Sequence, residues 1–372
     1  MMHGNILWCP NCVMPSTRPR VTFNDKGLCN ACQWAESKKN VVDWDSRGKE
    51  LEKLCDKFRS QINGFDCIVP CSGGKDGSTV NYKLKHEMGM TPLALTISIP
   101  LPFEVGDQNL KNFIASGYDH ILITPNPEVT RAISKIEFLE NGRPLFGWQI
   151  SLQAAILRTA VNFRIPLIMY GEDGEVEYGG TSETNNKSNY SREYAERIYL
   201  SGIDPSTYLN RFTEKELALF CFPSEEEVKK SGTMAAHWSY FDNWDPYENY
   251  LLAKEKCGMQ ERDTASVGTY NNFAQTDTCL IDLHYYLMYL KFGFGRCSQD
   301  VGIDIRRGAM TRKQGMELVR IYDNQYPEPY IDQYLEYFDM TKDEFNATLD
   351  KLANKKLFQK IDGRWKAIFE II

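Results

Sequence analysis

Short apolar runs alternate with longer amphipathic ones between residues 46 and 171. A helical pattern over 46–62 leads to Cys67, Ile68 and Val69, a brief apolar run that predicts a buried strand. The run LALTISI (93–99) predicts a second strand, and a helical pattern over 104–116 ends at Gly117. HILITPN (120–126) predicts a third strand, 147–163 a helix, and PLIMYG (166–171) a further strand. Strands this short separated by helices predict a parallel sheet covered on both faces, a Rossmann-like α/β fold with ligands at the carboxyl ends of its strands.

Beyond Gly180 this rhythm stops. The polar stretch 181–197 reads equally as a flap over a site or as a surface loop. Thr213 with Glu216, Ser224 with Glu227, Thr311 with Gln314 and Thr341 with Glu344 have the spacing of capping boxes, so later helices are expected there. Asp245-Pro246 opens another helix that Gly258 closes. The aromatic-rich stretch 237–250 is expected to pack one part of the chain on another rather than to stack on a ligand. The chain thus divides into an N-terminal segment (1–45), an α/β domain (46–200) and a mostly helical C-terminal region (201–372) expected to contribute to the substrate site.

The first predicted strand runs into Ser72, Gly73, Gly74, Lys75, Asp76, Gly77 and Ser78. A Walker loop needs a glycine four residues before its Gly-Lys pair and Ser or Thr after the lysine. Val69 and Pro70 stand where that glycine belongs, and Asp76 follows Lys75. The small residues still allow backbone N–H groups to close around an anion at a helix N-terminus, with Lys75 as a point charge. Asp76 is tolerable there beside a magnesium ion. Loops of this kind resemble those of the PP-loop ATP pyrophosphatases, which cut ATP between its α and β phosphates; relative to the commonest form of that motif, Gly77 is inserted and the register of Ser78 on phosphate is left open.

PLIMYG is followed by Glu172, Asp173, Glu175 and Glu177. Such a cluster at a strand end could hold magnesium or orient a nucleophile, or it could be a solvated loop. Farther on, Gly293 and Gly295 separate Lys291 from Arg296, which reads as a loop bringing two cations to phosphate or as a helix-ending turn.

The N-terminal segment holds Cys9-Pro10-Asn11-Cys12 and, after a 16-residue spacer, Cys29-Asn30-Ala31-Cys32. Two facing C-x-x-C turns supply the four-sulfur cage of a structural zinc site, closed to water. The chain carries 11 cysteines, an odd number scattered through apolar segments, which suits a reducing compartment with one metal site. It holds 43 Lys and Arg against 50 Asp and Glu, for a net charge of −7, which argues against a long nucleic-acid partner. No apolar run reaches membrane-spanning length and the first residues lack a secretory pattern, so a cytoplasmic protein without a membrane partner is expected.

Taken as whole motifs, CPNCVMPSTRP, GLCNAC, SGGKDGS, PLIMYGEDGEVEYGG, WDPYENY and LKFGFGRCSQDV with the later IRRG resemble the N-acetyl sugar amidotransferases of bacterial surface-glycan pathways. These are similar to the enzymes that make acetamidino sugars for lipopolysaccharide O-antigens and for the pseudaminic and legionaminic acids of flagellin. The resemblance implies a PP-loop (HUP-type) sheet, with ATP adenylylating the oxygen of an acetamido group on a nucleotide-activated sugar. Ammonia then displaces AMP to leave an acetamidino group. It implies ATP and Mg2+ on residues 72–78, Lys75 as the phosphate cation, and Asp76 and Asp173 as magnesium ligands with Glu172 beside them. Glu177, Lys291 and Arg296 would contact substrate.

An N-terminal-nucleophile glutaminase needs a leading cysteine, whereas this chain starts Met-Met-His, and no length remains for a triad glutaminase domain. Ammonia is therefore expected from a separate glutaminase, which the resemblance likens to that of the histidine pathway, or from free ammonium. The alternative is a PP-loop tRNA thiolase, for which Cys71, Cys279 and Cys297 are the candidate sulfur carriers.

Overall fold

Ile68 and Val69 are adjacent and both fully buried, yet they enter different cores. That is the two-residue period of a strand with both faces covered, and it explains why this stretch reads as a continuous apolar run. The computed structural model describes residues 6–59 and 64–371.

Two helices, α1 (Asn30–Asn40) and α2 (Trp44–Phe58), precede the sheet. The rest of the predicted stretch 46–62 includes residues outside those described. Then come β1 (Cys67–Pro70), α3 (Lys75–Tyr82), β2 (Pro92–Ile97), α4 (Glu104–Ala115), β3 (His120–Ile123), α5 (Pro127–Asn141), α6 (Phe146–Phe163) and β4 (Leu167–Tyr170). After β4 the chain forms α7 (Gly174–Tyr178), the single turn α8 (Arg192–Tyr194), α9 (Glu225–Ser231), β5 (Met234–His237) and α10 (Trp238–Phe241). The strands lie in the order β3-β2-β1-β4-β5, all parallel. Cys67 pairs with Pro92 on one side and Leu167 on the other. The winding direction reverses between β1 and β4, and open α/β sheets bind ligands in the crevice at that switch.

Leu51 of α2, Val80 of α3 and Trp238 of α10 cover one face of the sheet, and Ile156 of α6 packs on the other with Leu93 and Ile168. Each such side chain removed from water contributes about 1.5–3 kcal/mol. The aromatic stretch 237–250 is largely packing, since Trp238, Phe241 and Trp244 are buried in the first of these cores. The polar stretch 181–197 is docked rather than loose: Tyr190 N donates to the Ala235 carbonyl and Asn189 bridges Ala236.

β5 was not evident from the sequence. It is only four residues long and lies beyond residue 200, so the sheet draws on both sides of that point. The pair Thr213 and Glu216 does exchange hydrogen bonds, but the turns that follow do not continue as a helix.

The remainder is helical: α11 (Pro246–Cys257), α12 (Leu280–Phe292), α13 (Arg296–Arg306), α14 (Arg312–Tyr322), α15 (Ile331–Phe338) and α16 (Lys342–Leu352). Capping boxes start α9, α14 and α16, and the Asp245 side chain caps α11. A hairpin of β6 (Phe358–Ile361) and β7 (Arg364–Ala367) follows; its Asp362-Gly363 turn has positive φ at both residues, as a two-residue turn of the I′ type requires. No helix among the described residues is long and apolar enough to cross a membrane.

Candidate active site

β1 ends at Pro70 and the chain turns through Cys71–Gly74 into α3, at the switch point of the sheet. Gly73 sits at φ +83°, and a Cβ there would fall 2.3 Å from the Leu110 nitrogen of α4. A Cβ on Gly77 would lie 2.6 Å from the Pro70 carbonyl oxygen, so the glycine that departs from the common motif lets α3 lie tight against its own strand. Ser78 is fully buried with Oγ 3.9 Å from Cys71 Sγ, which keeps it from presenting its hydroxyl to a ligand. Gly74 gives α3 no side-chain cap, leaving the first-turn N–H groups to other acceptors.

Lys75 is only 6% exposed and its ammonium is paired with the Asp76 carboxylate. Asp76 Oδ1 also accepts from Asn249 Nδ2 at 3.3 Å, and the Asn249 carbonyl accepts from Thr79 Oγ1 at 3.0 Å, so α11 is tied to the first turns of α3. Two further carboxyls belong to this group. Burial pushes Glu172 up to about 7, with neighbouring Asp76 adding to the rise and Lys75 opposing it. Burial likewise pushes Asp277 up to about 6, countered by the 3.3 Å hydrogen bond that Ser72 Oγ donates to it and by Lys75. Sequence reading missed Asp277, which stands 200 residues from the loop in an ordinary TDT context.

The acidic cluster after β4 separates into different tasks. Asp173 caps α7 by accepting from Glu175 N (3.0 Å), and it also takes hydroxyls from Thr184 (2.6 Å), Tyr194 (3.0 Å) and Tyr199 (3.0 Å). These bonds make Asp173 a hub that joins the start of α7 to residues 184, 194 and 199. Glu175 takes both arms of Arg20 at 2.8 Å. Glu177 accepts from Lys38 Nζ at 2.7 Å and Trp34 Nε1 at 2.9 Å, partners that occupy the carboxylate expected to meet substrate.

What Glu175 and Glu177 hold in place is the cysteine segment. Asn30 Nδ2 donates to the Gly180 carbonyl (2.8 Å) and Arg18 Nε to that of Gly179 (3.0 Å). From the other side, Arg312 of α14 donates to the carbonyls of Cys9 and Cys12. Cys9, Cys12, Cys29 and Cys32 are buried, with all four sulfurs within 4.8 Å of one another. The Cys9–Cys32 and Cys12–Cys29 separations are 3.7 and 3.6 Å. Four sulfurs about 2.3 Å from one tetrahedral ion lie about 3.8 Å apart, so the cage fits a single ion. It is too small for a cubane iron–sulfur cluster, whose ligand sulfurs sit outside a box of four irons. Among the described residues it is the sole cluster of three or more candidate metal-ligating side chains. The carboxyls around Lys75 form no such closed set.

Lys75 also lines a cleft of about 310 Å³ whose walls come from α11, residues 270–274 and α13. Arg296 lies there, 6% exposed, paired with Asp300 at 2.7 Å. Lys291 does not line this cleft; it donates to the Asn141 carbonyl at the end of α5 at 2.6 Å. The glycines between the two cations end α12 and start α13, so the pair expected on one phosphate is directed to separate places.

The candidate sulfur carriers are dispersed as well. Cys71, Cys279 and Cys297 belong to three different apolar clusters, and burial pushes the Cys71 and Cys279 thiols up to about 12.

Residues 267–371 match a family model described as "LPS biosynthesis protein WbpG-like, C-terminal domain". That span is similar to the domain the model describes. It contributes Asp277, Arg296, Asp300 and Arg307, so the site is shared between the glycine loop and the WbpG-like part. No curated protein matches the chain. Among solved structures, it is similar to the U34-tRNA thiolase NcsA from Methanococcus maripaludis with its 4Fe-4S cluster, at 12% identity over 82% of this chain and 86% of that one, with a TM-score of 0.29. A likeness that loose carries no argument about activity. The fold itself is an α/β arrangement around a five-stranded parallel sheet.

Proposed function

We propose that this protein is an ATP-dependent amidotransferase that converts the acetamido group of a nucleotide-activated N-acetyl sugar to an acetamidino group, in the synthesis of a bacterial surface glycan. One observation carries the reading: the lysine of an ATP-pyrophosphatase-type loop opens onto a cleft whose far wall belongs to the WbpG-like span.

In this reading the ATP phosphates lie over Ser72–Gly74 and the uncapped start of α3, with Lys75 facing the pyrophosphate as it leaves, a preorganised electrostatic role. Pairing with Asp76 holds the lysine in place before ATP arrives. The acetamido oxygen attacks the α phosphorus and pyrophosphate departs. Ammonia adds to the resulting imidate carbon, and AMP leaves carrying the former acetyl oxygen. Asp76 would hold magnesium together with phosphate oxygens, with Asp277 and Glu172 nearby, consistent with an ion that takes few protein ligands when phosphate is present. That ion would neutralise charge on the departing phosphates. Glu172, poised near neutrality, is suited to take a proton from the attacking ammonia. The ion in the cysteine cage is zinc in this reading, closed to water and structural. Ammonia comes from a separate glutaminase or from ammonium.

Sulfur transfer is weighed against by the dispersed cysteines, since a thiol held near 12 supplies little thiolate at neutral pH. The test is to incubate the protein with Mg-ATP, ammonium and a panel of nucleotide-linked N-acetyl sugars whose acetyl oxygen is 18O. The reading expects pyrophosphate, 18O in AMP, and a sugar lighter by about 1 Da than its unlabelled parent, the difference between C=O and C=NH in this activation scheme. Pyrophosphate formed only with tRNA and a sulfur donor would overturn it.

A further inference from the structure

The cleft beside Lys75 is more than an approach to the loop. Its cations are Lys75, Arg296 and Arg307, and its acids are Asp300 and Asp304. Both acids are already answered from within the protein. Asp300 accepts from Thr269 Oγ1 (2.5 Å) and Asn271 Nδ2 (2.6 Å) besides its Arg296 pair, and Asp304 accepts from Tyr270 (2.6 Å) and Arg307 (2.7 Å). The Arg296 guanidinium is buried between the rings of Tyr178 and Tyr285, and its Nε meets no acceptor among the described residues. A donor left unmet at such depth is costly unless something anionic or polar reaches it.

At the mouth of the cleft the chemistry changes. Tyr250 stacks on Phe273 with centroids 4.4 Å apart, and Tyr247 lies within 6.1 Å of Phe273 while remaining 38% exposed. Arg307 sits 4.8 Å from the centre of the Tyr247 ring. Trp238, Phe241 and Trp244 of the aromatic stretch are buried in the sheet core, whereas Tyr247 lines the cleft. A flat aromatic surface next to a guanidinium, leading inward to two further cations, matches a ligand with a planar base at one end and phosphate in the middle.

We propose that this cleft seats the nucleotide of the second substrate. Tyr247 and Phe273 stack the base, Arg307 and Arg296 hold its phosphate, and the sugar projects toward Lys75. The assignment deepens the amidotransferase reading and rests on it for the identity of the sugar, though nucleotide binding can be tested alone.

Uridine diphosphate, guanosine diphosphate and cytidine monophosphate are each titrated calorimetrically into the protein and into the Tyr247→Ala, Phe273→Ala and Arg307→Ala variants, with thermal melts as a folding control. KM for ATP is measured in parallel with the best sugar nucleotide from the panel. At least one of the three probes is expected to bind, and each variant to weaken it by about tenfold or more, the scale of one lost stacking or phosphate contact. KM for ATP should stay within about twofold, since these residues lie off the loop. Unchanged probe binding in folded variants overturns the proposal, as does absence of binding by all three probes. A rise in the KM for ATP with no loss of probe binding also overturns it, by giving the cleft to ATP itself. Probe binding lost in the variants, with no acetamidino product from any sugar, would keep the cleft and sink the amidotransferase reading instead.

Discussion

The cysteine segment and the glycine loop are both short and turn-rich, but only one of them is finished by its own residues. All four ligands of the cysteine cage come from residues 9–32, and distant partners such as Arg312 and Glu175 merely dock it. The glycine loop is surrounded by side chains from roughly 100 to 220 positions away: Glu172, Asn249, Asp277 and Arg296. A closed metal cage needs only local geometry to satisfy its ion. A site that must admit a substrate has to stay open on one side, and the open side is walled by other parts of the fold.

The largest expected effect comes from opening the closed site. Cys9→Ser, or a strong chelator, should cost several kcal/mol of stability, because metal binding and folding of such a segment are one process. Thermal melts with and without added zinc check this; full stability combined with lost activity would make the cage catalytic and break the contrast. Next comes the open site. Lys75→Ala should lower the rate of pyrophosphate release by about 10²–10³-fold, as loss of one preorganised charge does, with the melting temperature within about 2 °C.

A third test concerns a carboxyl that neither metal nor ligand reaches. Asp282 of α12 is buried, neither of its oxygens has a hydrogen-bond partner among the described residues, and burial pushes it up to about 7. Its unfolded value is about 3.9, so between these limits the folded state binds the proton more tightly and stability falls as pH rises. Asp282→Asn removes that dependence. Its stability relative to the parent should therefore shift in its favour from pH 5 to pH 8, by on the order of a few kcal/mol at most, read from melts at the two pH values. No relative shift would mean that the carboxyl finds a partner in solution. The smallest effect is expected at Lys291→Ala, less than about twofold in KM for either substrate, because the ammonium is tied to the end of α5. A tenfold rise would return Lys291 to the substrate.

Reading the chain alone succeeded where the signal is local. Asp245-Pro246 is a helix start and Gly258 a left-handed helix end, because caps depend on a few neighbouring backbone groups. The alternation of 67–171 gave the parallel sheet for the same reason, with β1, β2 and β4 buried on both faces. It gave neither the four-residue β5, which is too short to show a period, nor the hairpin whose turn is Asp362-Gly363.

The sequence by itself determined the cysteine cage, the loop of small residues ending in Lys75-Asp76, and the kind of sheet that carries it. Each is set by turn chemistry or periodicity within a few residues. The tertiary structure alone decided which charges face one another. Glu172 and Asp173 are neighbours in the chain, yet one is left beside Lys75 while the other is consumed by three hydroxyls and a backbone N–H. Lys291 and Arg296 are parted in the same way by the turn between α12 and α13. Electrostatic partnership acts over a few ångströms of space regardless of separation along the chain, so only the fold could assign it.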